Sequence, residues 1–218
     1  MKCVALISSG IDSPVACFQL SSCVDSFIFV HADNRPFTDD REIKNTLKLV
    51  KKLNEIIDAS ITLYFIPHGE MLQDIVSNIP KRYTCVLCKR MMLRYADRIC
   101  KKESADAIIM GDSLGQVASQ TLQNIKVIDE AVDVPVLRPL IGFDKEEIIA
   151  IAKQIGTFEY SILPSGACSA VPSKPATKAK INKIKEFEKE SVLGLKIDEL
   201  VSKAKIFSTI DNIGFSDL

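Results

Sequence analysis

The segment Val4-Ala5-Leu6-Ile7, followed by Ser8-Ser9-Gly10-Ile11-Asp12-Ser13, constrains the fold more than any other part of the chain. An apolar run of strand length stops in a stretch of mainly small and polar residues, and a helical pattern starts near Pro14. A strand that turns through small residues into a helix presents free N–H groups at the positive end of the helix dipole, which suits a phosphate or pyrophosphate. Gly10 tolerates unusual dihedrals, and Asp12 or Ser13 is placed to cap the helix. An ordinary capped connection has the same local pattern, so the loop defines a βα unit and leaves its ligand open.

The alternation continues along the chain. Strand-like segments at 2–8, 25–31, 60–67, 106–111 and 134–140 are separated by helix-like segments at 13–22, 40–57, 69–78, 87–103 and 115–124. This pattern predicts an α/β fold, a Rossmann-like parallel sheet of about five strands with helices on both faces. Right-handed crossovers would gather the carboxyl ends of the strands on one edge, where Ser8, His31, Gly111 and Pro139 follow them. Helical patterns at 144–155, 177–190 and 196–205 come later. The Pro-rich stretch 164–175 is the candidate boundary between a nucleotide-binding domain, 1–175, and a helical extension, 176–218, packed on it. Ile181, Ile184, Phe187, Leu193 and Leu195 form the extension's expected apolar face.

With 218 residues, 47% of them hydrophobic and 26% charged, the chain suffices for one well-buried core. No apolar run reaches the length of a membrane span, and the N-terminus lacks a secretion pattern. Both features place the protein in the cytoplasm, with no membrane partner. A formal net charge of zero excludes a general attraction to nucleic acid, so any RNA contact needs a local patch. One basic run comprises Lys81, Arg82, Lys89, Arg90, Arg94, Arg98, Lys101 and Lys102, with Asp97 its only acid; a second comprises Lys174, Lys178, Lys180, Lys183 and Lys185.

Seven cysteines in a chain without a secretion signal do not read as a disulfide framework. Cys3, Cys17, Cys23 and Cys100 fall in or beside strand and helix patterns and read as buried small hydrophobes. Cys85-Val86-Leu87-Cys88 differs, because its spacing can bring both sulfurs to one face of a turn. Zinc lacks the further ligands it needs. A redox or persulfide pair, an iron–sulfur cluster completed by a third thiolate, and unliganded thiols remain open. Cys168, in Leu163-Pro164-Ser165-Gly166-Ala167-Cys168-Ser169, is the obvious third thiol.

Residues 8–16 resemble the S-G-G-x-D-S pyrophosphate loop of the PP-loop ATP pyrophosphatases. Three further motifs narrow the resemblance: Lys89-Arg90-Met91-Met92-Leu93-Arg94, Gly111-Asp112-Ser113-Leu114-Gly115-Gln116-Val117-Ala118-Ser119-Gln120-Thr121, and Arg138-Pro139-Leu140-Ile141-Gly142-Phe143-Asp144-Lys145. Together they resemble the catalytic domain of the ThiI-type tRNA 4-thiouridine synthetases, tRNA sulfurtransferases, from the first strand to about residue 190.

The resemblance implies a PP-loop domain over 1–175 that uses ATP and Mg2+ to adenylate the C4 oxygen of a tRNA uridine, after which a sulfur nucleophile displaces AMP. Residues Ser8, Ser9, Gly10, Asp12 and Ser13 would hold pyrophosphate, with Asp12 serving the metal or the loop geometry. Leu6, Ile7, His31, Ala32, Arg90, Gly111 and Gln120 would contact the nucleotide. Cys168 matches the family's persulfide-resolving cysteine. Cys85 and Cys88 resemble the pair of archaeal members, so that with Cys168 they would ligate a [4Fe-4S] or [3Fe-4S] cluster with an open iron. Asp12, Cys85, Cys88 and Cys168 are thus the implied catalytic set.

Full-length members carry a THUMP region that grips tRNA, and some carry a rhodanese domain. This chain starts at the first strand, which implies a separate THUMP-like protein, and ends at Leu218 without a rhodanese domain, which implies a sulfur-donor protein, free sulfide or its own Cys85 and Cys88. Family members often dimerise, so the resemblance also implies a homodimer. Ser9 stands where the loop has its first Gly; a positive φ there would cost Ser roughly 1 kcal/mol or more. Asp112 replaces a family Glu. A PP-loop enzyme with another acceptor and a non-catalytic nucleotide-binding subunit are the alternative readings.

Overall fold

The computed structural model describes residues 1–191 and 193–218. Strand β1 (Lys2–Leu6) leads into helix α1 (Asp12–Leu20), and β2 (Ser26–Ala32) leads into α2 (Asp40–Ile56). Strand β3 (Ser60–Ile66) precedes α3 (Gly69–Asn78) and the long α4 (Thr84–Glu103), after which β4 (Ala107–Ile109) enters the sheet. Helix α5 (Leu122–Asp129), strand β5 (Val136–Leu137) and helices α6 (Lys145–Gln154) and α7 (Phe158–Ser161) follow. The chain closes with α8 (Ile181–Glu190), α9 (Ile197–Ser202) and β6 (Lys205–Phe207).

The sheet order is β5-β4-β1-β2-β3-β6. Strands β1 to β5 are parallel, and β6 runs antiparallel to β3. The chain winds outward from β1 first on one side and then on the other, so the topological switch lies between β1 and β4. Successive strand side chains point to opposite faces. Val4, Ile28 and Val30 join a core with α3, α4 and α5 on one side, while Cys3, Ala5, Phe27 and Phe29 join a second with α1, α2 and α6 on the other.

Several boundaries differ from those the pattern predicts. The sheet has six strands because the tail, expected to be helical through 205, adds β6 at an edge; three residues are too short a run to register as a strand. Ile184, Phe187, Leu193, Ile197 and Leu200 enter the α4-side core, whereas Ile210 and Ile213 reach the opposite one. Leu195, expected on the apolar face, is 79% exposed because it sits in a 3-10 turn, Leu193–Lys196, where the helical period changes. The strand expected at 134–140 shortens to two residues, bracketed by Pro135 and Pro139. No helix begins at 115. Gly115 has φ +77°, and α5 starts after Thr121, whose hydroxyl caps it by accepting from the Asn124 amide at 3.2 Å. Cys23 is exposed, not buried.

Candidate active site

The loop after β1 is tied by its own hydroxyls. Ser13 Oγ accepts from the Ser8 amide at 3.0 Å, and Ser8 Oγ accepts from the Gly10 amide at 3.3 Å. Helix α1 starts without a side-chain cap, so Asp12 and Ser13 do not cap it: Ser13 is folded back onto Ser8, and Asp12 sits in the first turn. The first amides of that turn have no acceptor within the helix. Among the described residues positive φ occurs only at Ser104, Gly115 and Gly156, so Ser9 bears none of the strain expected of it. Gly111, at the end of β4, approaches α1 so closely that a Cβ would lie 2.8 Å from the backbone of Asp12 and Ser13.

These elements enclose a cavity of about 290 Å³ at the carboxyl edge, beside the switch point. Leu6, Ile7, Ser8, Gly10, Asp12, Ser13, His31, Ala32, Gly111 and Gln120 all line it. Ser9 and Arg90, also expected there, are not among the lining residues. The cavity wall adds Glu42, Lys89, Met92 and Asp112, none of which the sequence had marked as a contact.

Arg90 is a correction. It is fully buried; Nε donates to Glu188 Oε1 at 2.7 Å, Nη2 donates to Glu188 and Glu130 at 3.1 Å, and Nη1 donates to the Val127 carbonyl. Arg94 donates to the same Glu188 at 2.8 Å. A helix turns 100° per residue, so Arg90 anchors α8 while its neighbour Lys89 faces the cavity. Lys89 Nζ donates to Asp112 Oδ1 at 2.6 Å, and Asp112 also accepts from Arg138 Nε at 3.0 Å and Gln120 Nε2 at 3.3 Å. Burial pushes the Asp112 carboxyl up, but Lys89 and Arg138 outweigh it and hold it below the usual carboxylate range.

Two other pairs flank the loop. Lys145, at the start of α6, donates to Asp12 Oδ1 at 2.6 Å. His31 Nδ1 donates to the Ile7 carbonyl at 3.1 Å, and its Nε2 lies 3.1 Å from Glu42 Oε2. The second contact is close enough for an ion pair but misaligned for a hydrogen bond. Burial pushes the His31 pKa down, yet the Glu42 carboxylate reverses this and the net direction is up. The Glu42 carboxyl, which burial would raise, is held low by His31 and by the Ser9 amide.

The cysteines separate. Cys85 and Cys88 lie in the first turn of α4, but Cys88 turns inward: its Sγ is 3.3 Å from His68 Nε2, and His68 Nδ1 is 3.1 Å from the Tyr95 hydroxyl. Burial raises the Cys88, Cys85 and Cys168 thiols alike, and the nearby Cys168 contributes to the first two. Among the described residues no three His, Cys, Asp or Glu side chains are arranged to hold a metal ion. Cys85, Cys88 and Cys168 are therefore neighbours close enough to influence one another, without being gathered around a single metal ion. The first basic run is not a continuous patch either, because Arg90 and Arg94 pair with Glu188, Arg98 with Asp198 at 2.6 Å and Lys101 with Asp97 at 2.6 Å. Lys81, Arg82, Lys174, Lys178 and Lys180 remain exposed. No described helix is long and apolar enough to cross a membrane.

A doubly wound sheet with a small-residue loop and a cavity at its switch point defines a Rossmann-like α/β protein. Residues 1–193 match the family described as Thiamine biosynthesis protein (ThiI), and the chain belongs to that family. It is 45% identical over 186 residues to a protein of Methanobrevibacter smithii named "Probable tRNA sulfurtransferase", covering 85% of this chain and 49% of that one. A protein of the same name from Methanothermobacter thermautotrophicus is 40% identical over 211 residues, covering 95% and 54%. The chain thus spans about half the length of these curated relatives. The crystal structure of a 4-thiouridine synthetase–RNA complex with bound ATP superposes with a TM-score of 0.90 at 32% identity, covering 94% of this chain and 54% of that chain.

Proposed function

We propose that this chain performs the ATP-dependent step of tRNA uridine thiolation, forming 4-thiouridine in the cytoplasm. The observation that carries the reading is the cavity on which the residue 8–13 loop and Lys89 converge, with Asp12 on its wall held by Lys145 from the neighbouring trough. The match to a 4-thiouridine synthetase complexed with RNA and ATP supports it.

ATP enters with its triphosphate on the loop amides and its base toward Leu6, Ile7, His31 and Ala32. Lys89 and Lys145 supply positive charge for the phosphates, each restrained by a carboxylate rather than free in solvent. The uridine C4 oxygen attacks the α-phosphorus as N3 gives up its proton to solvent, forming a C4–O–P linkage with a C4=N3 double bond and releasing pyrophosphate. Hydrosulfide then attacks C4; the C–S bond forms as the C–O bond to AMP breaks, and the sulfur-borne proton moves to N3. Mg2+ is normally held by one or two carboxylates plus substrate phosphates, and Asp12 on the cavity wall fits that demand. When bound it neutralises phosphate charge.

Sulfur comes from free sulfide directly, or from the persulfide of a donor protein: the Cys168 thiolate bonds to the donor's inner sulfur, the S–S bond of the persulfide breaks to release hydrosulfide, and an external thiol reductant cleaves the resulting disulfide. RNA recognition comes from a THUMP-like module, in a separate protein or elsewhere in the same one, and the working unit is a homodimer. The test is pyrophosphate release and nucleoside mass spectrometry with ATP, sulfide and bulk tRNA, set against small-molecule acceptors. Thiouridine should form only with tRNA, and Cys168→Ala should keep pyrophosphate release while losing persulfide-driven transfer. Pyrophosphate release with a small acceptor and none with tRNA would refute the reading.

A further inference from the structure

A second cavity, about 410 Å³ and mainly apolar, opens one helical turn from the first. Arg82, Cys85 and Val86 of the α4 start form one wall, Val117 and Ser119 the second, and Val171 and Pro175 the third. Its loops are built rather than casually apposed. The fully buried Asn124 donates from Nδ2 to the Ala118 and Ala176 carbonyls, both at 2.7 Å, and its Oδ1 accepts from the Ala179 amide at 2.9 Å. The Ala176 amide donates to the Arg82 carbonyl at 2.8 Å, closing the ring of segments.

The two cavities are contiguous in sequence on two sides. Cys85 lines the second and Lys89 the first, four residues along one helix, or about 6 Å of rise. Ser119 lines the second and Gln120 the first. The three wall segments, 81–96, 113–128 and 163–185, contain no Asp or Glu at all, while their exposed cations include Lys81, Arg82, Lys174 and Lys178. An apolar floor inside an acid-free, basic rim is complementary to a planar base extruded from a polyanionic strand.

We propose that this cleft receives the acceptor pyrimidine, flipped out of its RNA, with its faces on Val86, Val117, Val171 and Pro175 and its reactive edge toward Lys89 and the nucleotide cavity. The inference rests on the thiolation reading above and adds where the acceptor sits. Cys85 is then the thiol that faces the bound base, and Cys88, turned into the core against His68, is not.

The test uses RNA carrying one 4-thiouridine at the position the chain modifies, irradiated with long-wave ultraviolet light in the presence of the whole chain. Crosslinks should map to 82–86, 117–119 or 171–176. Crosslinks confined to the separate trough around Leu114, Ile141 and Phe143, or none with an RNA whose unmodified form is thiolated, overturn the assignment. Val117→Trp and Val171→Trp change exposed side chains at the cleft mouth. Each should lower sulfide-driven thiouridine yield about tenfold or more, the scale of one lost base contact, with calorimetric ATP affinity unchanged. Undiminished yield overturns the proposal, as does a defect seen only with a protein donor, which would make the cleft a sulfur-carrier dock. Failure of the unaltered chain to thiolate any RNA brings down the thiolation reading itself and the acceptor cleft with it.

Discussion

Asp12 and Lys145 stand 133 positions apart in the chain, yet their side chains meet at 2.6 Å, joining the cavity that Asp12 lines to the trough that Lys145 lines. One belongs to the first turn of α1 and the other opens α6, so the contact exists only because both helices start at the carboxyl edge of the same sheet. The pair sets a cation against the loop without leaving the carboxylate unpaired.

Replacing Asp12 or Lys145 by Ala should therefore cut pyrophosphate release by about 10²–10³, the usual cost of one preorganised charge-stabilising group. Stability should move by only about 1 kcal/mol or less, because both side chains are partly exposed, at 24% and 46%. Steady-state pyrophosphate assays with parallel urea melts check both halves. A large loss of stability would mark the pair as structural.

Lys89 and Arg90 should separate cleanly despite their adjacency. Arg90→Met removes the buried partner of Glu188 and should cost about 3–5 kcal/mol, with the tail more open to proteolysis. ATP affinity of the folded fraction should be unaffected. Lys89→Ala should weaken ATP binding about ten- to a hundredfold with a smaller loss of stability, because Lys89 is partly exposed and the buried Asp112 keeps Arg138. Calorimetry and denaturant titration on both variants decide it, and equal loss of ATP affinity would contradict the geometry.

Thiol reactivity should follow exposure and burial rather than sequence spacing. With iodoacetamide at neutral pH, Cys23 should alkylate first, Cys85 and Cys168 later, Cys88 more slowly than either because its sulfur is turned against His68, and Cys3 and Cys17 only on unfolding. Burial raises the Cys3 thiol to about 11 and drives Cys17 and Cys88 up further. A peptide-level time course reads the order; Cys88 reacting as fast as Cys85 would show that its side chain is not turned inward.

The two histidines should give stability opposite slopes with pH. Burial holds the His68 pKa down at about 4 against an ordinary 6.5, so from pH 6.5 down to about 4 the unfolded chain binds a proton that the folded chain refuses. Stability should fall across that window, by about 3 kcal/mol at most, and His68→Phe should flatten the fall. The His31 pKa is raised: burial opposes the charge, but Glu42 prevails. Its contribution is full below pH 6.5 and is lost as pH rises through the raised value, a loss that Glu42→Gln should abolish. Urea midpoints at about pH 5, 7 and 9 test both slopes; an unchanged acid limb in His68→Phe would refute the first.

Much of the fold was legible before any coordinates. Alternating apolar and helical periods located the first four strands and helices α1 to α4 to within a few residues, because period depends on neighbours two to four positions away. The loop at 8–13 and most of the expected contact residues also fall on the cavity, since most lie at or just after the carboxyl ends of strands that the parallel topology brings to one edge. Short elements were not legible: β6 has three residues and α7 has four, too few for a period to emerge.

What the sequence by itself determined is the doubly wound framework and the loop that closes its first crossover, both consequences of local pattern and of the handedness of the chain. Tertiary structure alone decided that Lys89 rather than Arg90 faces the cavity, that Asp12 meets Lys145, and that Cys85 and Cys88 look in different directions. Each depends on which carboxylate or imidazole arrives from far along the chain: Glu188 lies 98 positions from Arg90, and His68 lies 20 from Cys88. A charge buried beside such a partner is tolerated only in that orientation, and nothing in the local residue pattern records where the partner will be.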